Sequence, residues 1–338
     1  MKVIYNLRGI IYNLNMKKRI LLKDIAEKLN LTTNTVSRAL QDREDISEKT
    51  KQRVRETADL LGYIPDQVAS SMRTTTTQTV AVLFDNLANP YFMIVANMIN
   101  GELLQRGYQM MIFTVSSEAI LTMDIFKKMI SRRVDGVISF LRPEASVAKQ
   151  ANQMHLPMCV IGREADDLNI DSIFTNDYQG GYLMGQYLND KKYKHVGYLG
   201  GPADIKCNVK RAEGLFAYYQ EHALKADVLY ALWDEQSIIN NTKTFIESGV
   251  EAIFCFNDSI AYETILYIKK HYPNKQIEVT GYDNIANQLK LPINIATIGS
   301  DTKKMVSICV EQLMQRMNDF NTPLFMLIME PYLIKNID

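Results

Sequence analysis

Residues 21–41 read LLKDIAEKLNLTTNTVSRALQ, and the spacing of their apolar residues decides what the N-terminal part of the chain builds. Leu22, Ile25, Ala26 and Leu29 recur at i, i+3, i+4 and i+7, the single stripe of an amphipathic helix. Asn30 follows, where a tight turn calls for a residue with φ > 0 and asparagine is the best tolerated after glycine. Thr32 can cap a second helix by accepting a backbone N–H of its first turn. That helix turns Val36, Ala39 and Leu40 inward and leaves Thr33, Asn34 and Arg38 outside. A polar loop, QDREDI, leads to a third helix opened by Ser47. There Val54, Ala58 and Leu61 face inward and Gly62 is placed to stop it. Three helices with one tight connection make a helix-turn-helix unit over residues 20–63.

Charge separates this head from the rest. The whole chain balances 38 Lys+Arg against 38 Asp+Glu, but residues 1–73 hold 14 against 9 and the remainder 24 against 29. A basic head on an acidic body points to a polyanion as the partner of the head alone. Length exceeds what one small core can use, so two or three domains are expected. The four cysteines lie about fifty residues apart with no CxxC pair, which excludes a sequence-evident zinc or redox motif. Three of them sit in apolar runs as free thiols, in keeping with a reducing cytoplasm. No apolar run reaches the roughly 18–20 residues that span a bilayer, so no membrane role is expected. Residues 1–19 lack the apolar core and cleavage site of a signal peptide; Met16 reads as the start and residues 1–15 as poorly ordered.

Past the head, YIPDQVASSM could form a helix of about two turns, too short to be stable alone, and RTTTTQT reads as a linker. Residues 64–78 are therefore a hinge helix and linker. From residue 79 onward short apolar runs such as TVAVLF, VDGVISF, AIFCFND and IEVTGYD alternate with amphipathic helical stretches. This is the pattern of parallel sheets covered on both faces, and the 260 residues of 79–338 fit two such layers.

These motifs resemble the lactose-repressor/galactose-repressor (LacI/GalR) family of bacterial transcription regulators over residues 21–338. The head supplies LKDIAEKLNLTTNTVSRALQ and ISEKTKQRVRETADLLGYIPDQVASSMR; the body adds DNLANPYF, VDGVI, HVGYLGGP, KRAEGLFAY, FNDSIA, VTGYDN and IATIGSD in the family's order. The resemblance implies a helix-turn-helix head, a hinge helix, and a core like periplasmic binding proteins. In that core two doubly wound α/β subdomains, made discontinuous by chain crossings, close on a small effector and form the dimer. It places Thr33, Asn34 and Arg38 at base-contacting positions, Thr32, Ser37, Ser47 and Thr50 at phosphate-contacting ones, and Met72 at the apolar wedge the hinge helix drives into the minor groove. Ser70 stands where the family commonly has arginine.

Effector residues are expected just after strand C-termini: Asp85, Asn89, Tyr91 and Phe92, then Ser139 (with Phe140), Arg211, Asn257 and Asp283, with Trp233 as a further aromatic wall. Of these the resemblance matches Arg211, Asn257 and Asp283 to the family's most regular effector positions and puts Trp233 within a residue of a family aromatic. Plainer roles compete: capping turns for Asp85 and Asp283, packing at a helix start for Tyr91 and Phe92, an ordinary salt bridge for Arg211. Gly162 stands where some sugar-binding members carry an acid. The expected function is a sequence-specific DNA-binding regulator, a repressor, working as a homodimer or tetramer on a near-palindromic operator under control of a sugar or sugar derivative. An enzyme is disfavoured: GGYLMG and LGGP lack P-loop spacing, no GxSxG occurs, and the four histidines have no partner motif. No cofactor or metal is expected. A solute-binding receptor without a DNA role is the alternative, and the absence of an export signal and the presence of the head weigh against it.

Overall fold

The computed structural model describes residues 20–64, 76–115, 120–232, 234–290 and 294–335. The expectations for residues 1–19, for the hinge helix with Ser70 and Met72, and for Trp233 fall outside those residues. The chain divides into two compact units, residues 1–75 and 76–338.

The first unit contains α1 (Leu22–Leu29), α2 (Thr33–Leu40) and α3 (Glu48–Leu61). Asn30 ends α1 in the left-handed region at φ 53, and Gly62 ends α3 at φ 67. The Thr32 hydroxyl accepts the Thr35 N–H at 3.1 Å and the Ser47 hydroxyl the Thr50 N–H at 3.3 Å, so both caps expected from sequence are made. Ile25, Ala26, Val36, Ala39, Val54 and Ala58 form the core, ringed by half-buried Leu22, Leu29, Leu40, Leu61 and Tyr63. Lys51 is buried against Asp42 at 3.1 Å and Glu48 at 2.6 Å, which fastens the loop before α3 to that helix.

The second unit holds two six-stranded sheets. One has the order β13-β7-β6-β4-β1-β2, the other β14-β12-β11-β10-β8-β9. The strands are β1 (Thr79–Phe84), β2 (Gln109–Thr114), β4 (Gly136–Ser139), β6 (Met158–Ile161), β7 (Asp171–Thr175), β8 (His195–Gly200), β9 (Lys225–Tyr230), β10 (Ala252–Cys255), β11 (Glu278–Tyr282), β12 (Thr297–Gly299), β13 (Met326–Met329) and β14 (Tyr332–Ile334); β3 (Ile120–Leu121) and β5 (Arg142–Pro143) pair apart. All pair in parallel except β14, which runs antiparallel to β12. Along β1, Val80, Val82 and Phe84 enter one core cluster and Ala81 and Leu83 the other. An unbroken apolar run is thus two-sided burial at period two.

The helices of this unit are α4 (Pro90–Gln105), α5 (Met123–Ile130), α6 (Ala145–Gln153), α7 (Asp177–Asp190), α8 (Lys206–Glu221), α9 (Glu235–Ser248), α10 (Asp258–His271), α11 (Ile285–Leu289) and α12 (Thr302–Asn318). The chain changes lobe three times. It passes from β7 to α7 near Asn176, from β12 to α12 near Ser300, and from β13 to β14 between Met329 and Tyr332. The crossings lie side by side: the Asn176 N–H donates to the Met329 carbonyl at 2.9 Å, and the Thr175 and Ser300 hydroxyls are 3.4 Å apart. Strands β13 and β14 lie in the C-terminal segment, where the run of apolar residues is broken by Glu330 and Pro331.

Two details set up the site. The glycines of DYQGGYLMG are packing glycines on α7: a Cβ on Gly181 would strike the Arg211 carbonyl, and one on Gly214 of α8 the Tyr178 carbonyl. Glycine at both places lets α7 and α8 touch backbone to backbone. At the entrance to the unit, the Asp135 carboxylate accepts the Thr77 N–H at 2.9 Å and the Gln78 N–H at 2.6 Å, so residues 76–78 are held by the core. Cys159, Cys255 and Cys309 are buried free thiols and Cys207 is half-buried.

Arg316 of α12 reaches the buried Asp171 with two N–H···O bonds of 2.6 and 2.8 Å and also donates to the Phe320 and Pro323 carbonyls. Asp171→Ala would strand a buried guanidinium. It is expected to cost about 3–5 kcal/mol, read as a lowered urea midpoint of the second unit; an unchanged midpoint would show the pair to be dispensable.

Candidate functional site

In the first unit the outer face of α2 is a row of exposed side chains, Thr33, Asn34 and Arg38, over buried Val36 and Ala39. The spacing i, i+1, i+5 places all three on one side of the helix near its start and middle. The Arg38 guanidinium meets the Asp45 carboxylate at 2.7 Å, with both side chains about half exposed. Such a surface pair is weak, so Arg38 is steered by Asp45 without being held from another acceptor. Thr32 and Ser47 stay exposed while capping, and Thr50 is half-buried beside Ser47. Ser37 departs from expectation: it is only 6% exposed, on the inner side of α2, because position 37 adjoins Val36 on the packed face.

In the second unit a cavity of about 830 Å³ lies between the lobes, at the strand C-termini. Asp85, Asn89, Tyr91, Phe92, Arg211, Asn257 and Asp283 all line it, brought together from four separate stretches of chain. Phe140 lines it too, and Ser139 does not. The Ser139 hydroxyl donates to the Leu141 carbonyl at 2.7 Å and accepts its N–H at 3.1 Å, closing a buried turn that turns Phe140 toward the cavity. Phe92 packs edge-on to Phe140 at 5.4 Å and beside Tyr91 at 5.7 Å, an aromatic wall of the first lobe.

Polar groups face that wall. Arg211 donates through Nε to Asp177 at 2.8 Å and through Nη1 to the Phe256 carbonyl at 2.6 Å, and its guanidinium lies 3.4 Å from the Tyr282 ring centroid. The salt-bridge role for Arg211 is therefore real, and the residue lines the cavity as well. Asp85 receives Arg163 at 3.0 Å, and burial still pushes its carboxyl up. Asn257 caps α10 by accepting the Ile260 N–H at 3.0 Å. Asn89 caps α4 and takes a 3.3 Å bond from Ser259 of the other lobe, a contact across the cleft.

Asp283 sits at φ 99, followed by Asn284 at φ 57, two consecutive non-glycine residues of positive φ. Backbone strain of this kind persists only where surroundings impose it. Here Asp258 accepts the Ile285 N–H at 2.7 Å and the Thr297 hydroxyl at 2.7 Å, pinning the turn. Burial raises the Asp283 carboxyl to about 6 and that of Asp258 to about 7. Arg163 and Asp177, which complete the ion pairs, were not singled out from sequence, although each directly follows a strand and the rule used for the others would have found them. Asp234, Glu235 and Glu263 line the cavity from helix starts and flanks, where no local signal marks them. No group of three or more His, Cys, Asp or Glu set to hold a metal occurs among the described residues.

Residues 21–66 match the model for bacterial regulatory proteins of the lacI family, and residues 80–319 that for the periplasmic binding protein domain. The chain belongs to the lacI family of bacterial regulatory proteins. As a lacI-family member it is a DNA-binding transcriptional regulator with an effector-binding domain and is not an enzyme. The HTH-type transcriptional repressor PurR of Aliivibrio salmonicida (strain LFI1238) is 25% identical over 308 residues, 88% of this chain and 92% of that protein. The lac repressor dimer bound to operator and the anti-inducer ONPF superposes with a TM-score of 0.79 at 20% identity, covering 94% and 98% of the two chains. The regulator CelR in complex with cellobiose gives 0.65 at 19%, covering 94% and 99%. The lacI-family fold thus accounts for the discontinuous lobes. Among the described residues no helix is long and apolar enough to cross a membrane.

Asp283 generates a prediction with a definite sign. Its folded value of about 6 exceeds the 3.8 of the free side chain, so the folded state holds the proton more tightly and stability is lost as pH rises between those values. At pH 7 an ionised, buried Asp283 therefore costs stability. Asp283→Asn is expected to raise the unfolding free energy at pH 7 by roughly 1–3 kcal/mol and to flatten its pH dependence between about 4 and 6, measured by urea melts; a destabilised variant with unchanged pH dependence would refute this.

Proposed function

We propose that this lacI-family regulator is a cytoplasmic homodimeric repressor that reads a near-palindromic operator and is controlled by a sugar or sugar derivative bound between its lobes. The observation that carries the reading is that one chain presents an outward row of Thr33, Asn34 and Arg38 on a packed helix and, separately, an inter-lobe cleft at strand C-termini.

On DNA, α2 would enter the major groove. Arg38 would leave Asp45 and present its fork to guanine O6 and N7, Asn34 would bond adenine, and the Thr33 methyl would meet a thymine methyl. Thr32, Ser47 and Thr50 would touch phosphates and set register, with Met72 as the minor-groove wedge. Two heads are needed because one three-helix head buries too little for tight binding; a dimer multiplies effective concentration on paired half-sites. Edge strands β2 and β9 occupy matching ends of the two sheets and leave Ile112, Tyr230 and nearby Met93 and Leu232 exposed, apolar surface suited to pairing.

In the cleft, the aromatic wall would cover an apolar ligand face while Asp283, Asn257, Asp85 and the free edge of Arg211 meet hydroxyl groups, the mixture that orients a small polar ligand. The cellobiose in the CelR structure supports a saccharide. Closure would be felt at the three adjoining crossings and, through Asp135, at the chain leading to the head.

Arg38→Ala is the test of the reading role. It is expected to lose roughly 1–3 kcal/mol on the preferred operator, little on random DNA, and nothing in the thermal response to effector. Equal loss on both DNAs would reduce Arg38 to a phosphate contact, and no loss on either would remove it from the interface.

A further inference from the structure

We infer that the effector carries no anionic group: the cleft takes a neutral or amine-bearing polyhydroxyl compound and discriminates against its phosphorylated and carboxylated counterparts. The inference rests on the effector reading above and narrows it to a class of ligand.

Six carboxylates line the cavity, those of Asp85, Asp177, Asp234, Glu235, Glu263 and Asp283, against the two cations Arg163 and Arg211. Both cations are already committed. Arg163 bonds Asp85 at 3.0 Å and the Phe140 carbonyl at 2.6 Å; Arg211 bonds Asp177 at 2.8 Å and the Phe256 carbonyl at 2.6 Å. Each keeps an N–H edge that can donate to a hydroxyl, but its charge is neutralised in place. Lys206, at the start of α8 beside cavity-lining Ile205 and Cys207, pairs with Glu164 at 3.3 Å. Residues 116–119, 233, 291–293 and 336–338, the parts of this unit outside the described residues, contain no Lys or Arg. Among the described residues no Lys or Arg besides Arg163 and Arg211 lines the cavity.

What stands open is the opposite kind of group. Asp85 Oδ1 is buried with no hydrogen-bond partner, and the Asp283 carboxylate receives no hydrogen bond among the described residues. The two acids lie on opposite lobes, after β1 and β11, so a ligand donating hydroxyls or an ammonium to both would draw the lobes together. Glu235 and Glu263 add a flank of like charge; burial and then Glu235 hold the Glu263 carboxyl above its usual range.

Helix N-termini at the cleft could in principle attract an anion. Those of α7, α10 and α12 are capped by the side chains of Asn176, Asn257 and Asp301, and the first two carry Asp177 and Asp258 as their first residues. Their partial positive charge is already answered. A phosphate would meet uncompensated carboxylates, and like-charge juxtaposition costs several kcal/mol.

The experiment uses the full chain and a bacterial small-molecule extract, separated at pH 7 on a quaternary-ammonium resin into retained and unretained fractions. Thermal stabilisation and a changed operator affinity are expected from the unretained fraction. Activity confined to the retained fraction overturns the inference while leaving effector control intact; activity in neither fraction removes effector control, and the inference with it. For the compound isolated, its phosphate ester is expected to bind at least about 100-fold more weakly by calorimetry, and equal affinity overturns the charge argument. The double variant Glu235→Gln, Glu263→Gln separates charge from shape. It is expected to improve binding of the ester relative to the neutral parent by about tenfold or more; an unchanged ratio of the two affinities would assign the discrimination to shape and overturn the inference.

Discussion

The core depends on a buried guanidinium. Arg211 is 8% exposed, bonded to Asp177 and the Phe256 carbonyl, and covered by the Tyr282 ring. A buried charge of this kind is tolerable only when its partners are in place, and each partner comes from a different part of the chain. Asp177 opens α7 just past the first lobe crossing. Phe256 follows β10, and Tyr282 ends β11 beside the strained Asp283. Gly181 and Gly214 make the arrangement possible by letting α7 and α8 meet at their backbones. The same contact that satisfies the charge therefore positions the cleft floor, the first crossing and the turn that carries Asp283.

The two units handle charge in opposite ways. In the head, Arg38 is paired at the surface, where exchange of Asp45 for another acceptor is nearly free. In the core, arginines are buried with their acids, so they shape the cavity and do not leave it. Three crossings bonded side by side join the lobes along one narrow strip, and Asp135 fastens residues 76–78 to the first lobe.

Much of this was readable in the residues. Stripes at i, i+3, i+4 and i+7 placed three helices, and Asn30, Thr32, Ser47 and Gly62 marked their ends, because capping is a local interaction between a side chain and its own next turn. Apolar runs such as TVAVLF, VDGVISF, AIFCFND and IEVTGYD marked long strands, because two-sided burial leaves a continuous signal. Strands β3 and β5 were not visible, being two residues each, nor were β13 and β14, whose pairing is with β7 and β12 more than 30 residues away. Ser37 was assigned a phosphate contact by the family resemblance and is buried on α2 by packing. Ser139 was picked for ending a strand, yet its hydroxyl turns back on Leu141.

By itself the sequence determined a basic three-helix head with an outward Thr33, Asn34 and Arg38, an α/β body behind it, and the strand ends where a ligand site would form. These depend on periodicity and on groups a few residues apart. Only the tertiary structure decided that seven of the expected residues share one cavity, that Arg163 and Arg211 are neutralised within it, and that Asp85 and Asp283 stay open across it. Charge balance in a cleft is a sum over groups far apart in the chain, screened or strengthened by burial, and no local pattern in the residues encodes that sum.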